Sequence, residues 1–320
     1  MPSIVETPPV EVQQELALLR QDLHTLIPSK QLTGNVLIAT WNIRAFGDLT
    51  EKWEAAENDS PKRDLHSLLA IAEIISHFDI IAVQEIRGNI KCLRHMLKVL
   101  GRDWNFLMTD VTRGNAGNNE RMAFLYDTRK VNLSGLACEL VVPNEWLNRI
   151  GENALTRQFA RTPYAVSFRV GGKTFVLITL HVLYGDNAAA RIPELKAIAE
   201  WVADWAKELH SWDHSLIVLG DFNIEKIGDP TYEAFTSTGL TVPAELQNIP
   251  RTIFKNSYSF YDQIAWFVDS LARPELSLTF TRGNIYNFVG KVLNNRNYTN
   301  TQLSHRISDH FPLWAEFSTL

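Results

Sequence analysis

Two residues standing two apart, Asp221 and Asn223, are the first sign of chemistry in this 320-residue chain. They follow the apolar, β-branched run Ser215-Leu216-Ile217-Val218, which reads as a buried strand, and Gly220 permits a tight turn at its end. In extended backbone, side chains two apart point the same way. A carboxylate and an amide so placed suit a hard divalent cation or a phosphate-bound water. Asp and Asn after a strand are also ordinary turn residues. The same vocabulary recurs at other strand ends. Asn42 follows the strand 36–40, Glu85 follows 79–83, and His181 follows 174–180. Asp262 opens the strand 261–268, and Asp309-His310 precede the strand 311–317. A lone Glu after a strand is usually solvated, and a lone His is usually a satisfied surface or core residue. Charged groups flanking core strands are costly to bury unpaired, and a mutual cluster around a cation would satisfy them together.

The elements that must position these groups alternate strand and helix at first. Ser60-Pro61 reads as a helix start, Ser as N-cap and Pro in the first turn, for a helix running to about His77. A further helix is expected from about Ile90 to Leu100. The chain then becomes richer in strands, with Arg121–Tyr126 and Ala165–Val170, the latter joined to 174–180 through a Gly171-Gly172 hairpin turn. A long helix is expected over 191–209, with Ile198, Trp201, Val202 and Trp205 on one face, and Asp229-Pro230 opens a short one. The low-periodicity stretches 142–160 and 281–305 read as surface insertions. Near the N-terminus, Val12, Leu16, Leu19, Leu23 and Leu26 step by four and three over a helix at 10–27. Docking on its own domain is favoured there over a coiled-coil homodimer, which needs more heptads. The organisation expected is a tail and helix over 1–30 and one catalytic domain over 31–320.

A net charge of -5 gives no global attraction to nucleic acid or to anionic membrane, yet a local basic rim with metal ions can hold phosphate on an acidic protein. Cys92 and Cys138 show no spacing of a disulfide framework or metal site, and read as buried free thiols. No signal peptide and no membrane-spanning run is visible, so a cytoplasmic protein with no membrane partner is expected.

The ordered strings Trp41-Asn42-Ile43-Arg44, Gln84-Glu85-Ile86-Arg87, Glu120-Arg121, Phe159-Ala160-Arg161-Thr162-Pro163, Leu180-His181, Gly220-Asp221-Phe222-Asn223, Tyr261-Asp262-Gln263-Ile264 and Ser308-Asp309-His310 carry a resemblance. Together they resemble the endonuclease/exonuclease/phosphatase superfamily, and within it the deoxyribonuclease I branch. The resemblance covers nearly the whole chain beyond the N-terminal helix. It implies an α/β (α+β) fold, a four-layer αββα sandwich of two mixed β-sheets flanked by helices, with the active site across one sheet edge.

The same resemblance implies metal-assisted hydrolysis of a phosphate ester, with Mg2+ or Mn2+ offsetting negative charge in the transition state. Glu85 would hold the metal with Asn42 beside it, joined by Asp309 directly or through water. His310 would pair with Asp262, and His181 with Glu120, each carboxylate fixing the imidazole tautomer. Asp221 would orient or deprotonate the attacking water, and Asn223 would hold a phosphate oxygen or Asp221 itself. Arg161 is a phosphate clamp or a structural ion-pair partner. Arg44 and Arg87 match positions where deoxyribonuclease I-like enzymes present arginines to DNA.

DNA is therefore the expected substrate. A phosphomonoesterase or a phospholipid or inositol-phosphate phosphatase is the alternative, and a binding protein that lost turnover is a second one. The segment from Arg282 through Lys291, Arg296 and Tyr298 to Arg306 reads equally as a substrate loop or a solvated surface. The loop from Ser134 to Gln158 is unlike the calcium-stabilised loop of secreted relatives, which argues against structural Ca2+. Gly117-Asn118-Asn119 stand where a groove aromatic is expected before Glu120.

Overall fold

The structure, a computed structural model, describes residues 2–112, 118–140, 161–185, 187–208, 215–254, 259–269 and 271–320. In chain order the first strands are β1 (Asn35–Phe46), β2 (Ile80–Arg87), β3 (Trp104–Met108), β4 (Glu120–Asp127), β5 (Asn132–Glu139) and β6 (Tyr164–Val170). They continue as β7 (Lys173–His181), β8 (Leu216–Asp221), β9 (Leu240–Thr241), β10 (Asp262–Phe267), β11 (Thr279–Ile285) and β12 (Leu313–Ser318). The helices are α1 (Val10–Leu26), α2 (Leu65–Ser76), α3 (Lys91–Leu100), α4 (Ile192–Glu208), α5 (Pro230–Thr236) and α6 (Asn300–Ser304).

Two six-stranded sheets result, ordered β11-β12-β1-β2-β4-β3 and β5-β6-β7-β8-β10-β9. Each is mixed: β1 pairs parallel with β2, β7 pairs parallel with β8, and the other neighbours are antiparallel. The period-two alternation of β1 divides its apolar side chains between two cores. Val36 and Ile38 join the core between the sheets, whereas Leu37, Ala39 and Trp41 join the core under α1, α2 and α3. Sheet two buries its other face against α4 and α5. The expected four-layer αββα sandwich is the observed fold.

Several local expectations give way to better-paired alternatives. Helix α2 starts at Leu65 rather than at Ser60-Pro61, because Asp64 caps it, accepting from the Ser67 N–H at 2.8 Å and the Ser67 hydroxyl at 2.7 Å. Strand β1 runs on through 41–46, since Trp41, Ile43 and Phe46 are all buried and Phe46 pairs with Ile86. Strands β3 and β5 were hidden in the sequence by their edge positions, where exposed polar residues blur the pattern. The stretch 281–305 contains most of edge strand β11. Its cations are spent within the chain: Arg282 on Glu316 at 2.8 Å, Lys291 on Asp22 at 2.8 Å and Arg296 on Glu54, while Arg306 stacks on Tyr298. That pairing favours a structural surface over a substrate loop. Cys92 is buried as expected, but Cys138 is only half-buried. The insertion 142–160 lies outside the described residues, as does the end of the loop read against calcium.

Helix α1 docks on the domain. Val12, Leu19 and Leu23 are buried beside α2, Glu15 meets His66 at 3.0 Å, and Arg20 meets Glu73 at 2.6 Å. Leu26, expected on the same stripe, points outward and is exposed. No helix among the described residues is long and apolar enough to cross a membrane.

Candidate active site

The parallel pairs β1/β2 and β7/β8 end at the same rim of the sandwich where β4, β10 and β12 begin. That arrangement explains why polar residues at strand termini far apart in sequence meet. Asp221 closes β8, and its backbone registers with His181 across the parallel pairing and with Asp262 across the antiparallel one. Its carboxylate Oδ2 lies 3.7 Å from His181 Nε2 and 3.8 Å from His310 Nε2. It also accepts from Asn42 Nδ2 at 2.9 Å, which ties the first sheet to the second. Asp221 is buried, which alone would raise its pKa. The His310 and His181 charges and the Asn42 amide instead hold it below the usual carboxylate range.

Asn223 does not stand beside Asp221 in extended backbone. Its φ is +52°, and its own N–H donates to Asp221 Oδ1 at 2.9 Å. The turn reading of this pair is thus realised, with both residues lining the pocket. The Asn223 side-chain amide donates to the Val182 carbonyl at 2.7 Å, fastening the loop after His181.

Each imidazole is backed by a carboxylate. His310 Nδ1 bonds Asp262 Oδ2 at 2.7 Å, and His181 Nδ1 lies 3.2 Å from Glu120 Oε2. Burial works against charge on His310, but Asp262 and Asp221 outweigh it and raise its pKa well above the ordinary value. Burial pushes Asp262 up to about 6, with His310 opposing. Burial likewise works to raise Glu120, yet the hydrogen bond with His181 and nearby cations leave it below its usual range. The His310 loop is itself pinned. Trp41 Nε1 donates to the His310 carbonyl at 2.8 Å, and the Ser308 hydroxyl donates to the Asn42 carbonyl at 2.6 Å.

Glu85 sits at an irregularity of β2, where pairing with both β1 and β4 shifts register. Its φ is +61°, a conformation that costs energy outside glycine and concentrates at functional sites. The bulge sends its carboxylate into the same cleft, a pocket of about 360 Å³ that Asn42, Glu85, Glu120, Arg161, His181, Asp221, Asn223, Asp309 and His310 all line. Asp262 lies beneath them, fully buried behind His310.

The three arginines differ. Arg161 is buried and holds Glu120 Oε2 through Nε at 2.6 Å. Arg87 meets Glu120 Oε1 at 3.1 Å and Glu85 Oε2 at 3.5 Å, and donates to the Asn118 carbonyl at 2.8 Å. Arg44 turns to Ser304, donating at 2.8 Å. Neither Arg44 nor Arg87 lines the pocket.

Asn42, Glu85 and Asp309 offer the hard oxygen donors that Mg2+ or Mn2+ prefers. Asn42 Oδ1 is buried with no hydrogen-bond partner, as a ligand oxygen waiting for a cation would be. The donors therefore fit the ion. A second set, Asp221, Asp262 and His310, brings ligand atoms within 4.8 Å of one another. There Asp262 Oδ2 and His310 Nδ1 are spent on each other, which leaves Asp262 Oδ1, without a hydrogen-bond partner, and His310 Nε2, 3.8 Å from Asp221 Oδ2, as the open donor atoms.

Three supporting residues escaped sequence reasoning. Asn118 donates to Glu120 Oε1 at 2.6 Å. Arg251 is fully buried and donates to the Asp262 carbonyl at 2.7 Å, with no sequence signal to mark it. Tyr184 lines the pocket three residues after His181.

Gly220, expected at a turn, lies inside β8 with φ +145°. A Cβ there would come 2.1 Å from the Leu180 carbonyl oxygen. Gly220→Ala must therefore part β7 from β8, and with them His181 from Asp221. We expect a loss of about 3 kcal/mol or more, at the severe end of single substitutions. Denaturant melts followed by circular dichroism read it, and an unchanged midpoint would refute the close-approach argument.

Asp221 Oδ2 thus faces the Nε2 atoms of two carboxylate-backed imidazoles at the rim of two mixed sheets. A family model described as endonuclease/exonuclease/phosphatase matches residues 39–310, and the chain belongs to that family. A deoxyribonuclease of Thioalkalivibrio sp. (strain K90mix) is 31% identical over 210 residues, covering 63% of this chain and 50% of that protein. The chain thus spans about half the length of this curated relative. Among solved structures, a family protein from Bacteroides thetaiotaomicron superposes with TM-score 0.57 at 20% identity, over 89% of this chain and 97% of that one. A mannosyl-6-phosphatase from Bacteroides thetaiotaomicron VPI-5482 gives TM-score 0.57 at 20% identity, over 88% and 99%. These two likenesses speak for the fold.

Proposed function

We propose that the chain is a deoxyribonuclease I-like endonuclease that hydrolyses phosphodiester bonds of DNA with Mg2+ or Mn2+. The observation that carries the hydrolytic part is Asp221 fixed between His181 and His310. The 31% identity to a protein named as a deoxyribonuclease supports DNA as the substrate.

The roles follow from the contacts. Asp221, ionised and held through both oxygens by Asn42 and Asn223, orients the attacking water in line with the phosphorus and draws its proton. His310 keeps Nδ1 on Asp262, so Nε2 is left to donate to a phosphate oxygen as charge builds. His181, backed by Glu120, presents Nε2 to the same Asp221 oxygen at 3.7 Å. A divalent cation held by Glu85, Asn42 and Asp309 would supply Lewis-acid stabilisation of the developing negative charge. Arg161 and Arg87 neutralise Glu120 and keep its charge on His181 from repelling the substrate.

One observation favours a phosphomonoester instead: Arg44 and Arg87, the expected DNA contacts, are both engaged within the chain. Incubation with supercoiled plasmid and Mg2+ or Mn2+ separates the two. We expect nicked and then linear plasmid, with EDTA returning the rate to background. Intact plasmid with folded protein, together with phosphate release from a sugar phosphate, would establish the phosphatase reading.

A further inference from the structure

The loop after His181 is fastened at each of its first residues, yet it presents an aromatic ring to solvent. The Val182 N–H donates to the Asp221 carbonyl at 2.9 Å, and the Val182 carbonyl accepts from Asn223 Nδ2 at 2.7 Å. The Leu183 N–H donates to Glu194 Oε2 at 3.3 Å. The Tyr184 carbonyl accepts from Arg191 Nε at 2.6 Å. Arg191 is only 2% exposed, and its Nη1 donates to the Asn223 carbonyl at 2.6 Å. Its guanidinium lies 4.3 Å from the centre of the Tyr184 ring. Tyr184 is nonetheless 53% exposed and lines the catalytic pocket.

One buried arginine therefore does two things. It ties the catalytic Asp221–Asn223 turn to the loop, and it stacks against the Tyr184 ring. Burying a guanidinium is costly, and a flexible ring would gain nothing from it. A ring held this way pays little ordering entropy when a ligand stacks on it. Its place at the mouth of a phosphate-ester site identifies the ligand chemistry as a flat, apolar group attached near a phosphate. A nucleic-acid base meets that description, and every base has a π-face to offer.

We infer that Tyr184 is the stacking platform for an unpaired base next to the scissile phosphate, with Arg191 as its positioning residue. This inference rests on the nuclease reading above and deepens it. A base inside a duplex has both faces covered by its neighbours. The platform therefore favours single-stranded, frayed or locally opened DNA over intact duplex.

The test is cleavage of single-stranded oligonucleotides in which one nucleotide at a time, near the cut, is replaced by an abasic residue. In the native chain, removing the stacked base lowers kcat/KM about tenfold, the scale of one base–aromatic stack. In Tyr184→Ala the same replacement costs nothing further, whereas Tyr184→Trp retains the loss. A merely structural role for Tyr184 would lower cleavage of intact and abasic strands alike, and that result overturns the proposal. Equal base dependence in the native chain and in Tyr184→Ala, or none in the native chain, overturns it too while leaving the nuclease reading intact. If the native chain nicks plasmid but cleaves no single-stranded oligonucleotide, this inference fails and the nuclease reading stands; if it cleaves neither, both fail. Should Tyr184→Ala unfold, Tyr184→Leu carries the same comparison with more side-chain bulk kept against Arg191.

Discussion

Asp221→Asn lowers turnover by about a thousandfold or more while the protein stays folded, the scale associated with removing a positioned acid–base group. The substitution keeps the shape of the side chain and removes only its charge. That charge is what the site is built to hold. Burial would raise the carboxyl, and the two imidazoles with the Asn42 amide reverse the direction. With Asn at 221, the amide no longer draws a proton from water, and it must turn an NH2 toward either Asn42 Nδ2 or the Asn223 N–H. One of those donors then faces a donor. The histidines report the change directly. Asp221 is one of the three carboxylates that raise His310, with Asp262 and Asp309, so imidazole proton resonances followed by pH should show His310 releasing its proton at a lower pH than in the native chain. Asp262 and Asp309 still act to raise it, against burial. Plasmid nicking at native rates by Asp221→Asn would remove this residue from the chemistry.

The roles that could be read in the sequence belong to residues marked by their place in a strand. A polar group at the edge of an apolar run reads as a strand terminus: His181 and Asp221 do close β7 and β8 and Asp262 opens β10, whereas Asn42 and Glu85 lie inside the longer β1 and β2. What the pattern did not contain is backbone detail. The bulge that turns Glu85 inward, the left-handed Asn223 and the close approach at Gly220 depend on neighbouring strands, and no local pattern encodes them. Arg251 and Arg191 were invisible for a related reason. Their targets are backbone carbonyls at Asp262 and Asn223, which carry no residue identity. The fold class was legible through the family resemblance of the ordered strings, and the alternation of strands and helices agrees with it. Edge strands β3 and β5 were not, because each has only one neighbour to bury against. The helix start was misplaced because two capping signals lie four residues apart, and Asp64 also accepts from the Ala55 N–H. Local propensity offered Ser60, and tertiary bonding selected Asp64.

His310→Ala should be the second severe substitution, and its two effects separate by pH. Turnover falls by about a thousandfold, since the donor aimed at the phosphate is gone. Stability falls as well, because Asp262 is fully buried and loses the imidazole 2.7 Å from its Oδ2. Its Oδ1 has no hydrogen-bond partner even in the native chain. Breaking one side of a buried pair typically costs about 3–5 kcal/mol when the remaining group stays charged. The sign of the pH dependence follows from the direction of the shift. Asp262 is already raised to about 6 with His310 opposing, and without that opposition it rises further. A carboxyl raised in the folded state binds its proton there more readily than in the unfolded chain, where the reference is about 3.9. The penalty in the variant is therefore small near pH 4 and grows as pH climbs through the raised value. Urea melts of His310→Ala at pH 5 and pH 8 should show the larger deficit at pH 8. His310→Ala/Asp262→Asn should lose much of that pH dependence, because the amide has no charge to strand, while remaining as inactive as the single variant. Turnover losses that instead added in full across the two positions would mean that Asp262 acts on the substrate by itself and not through His310.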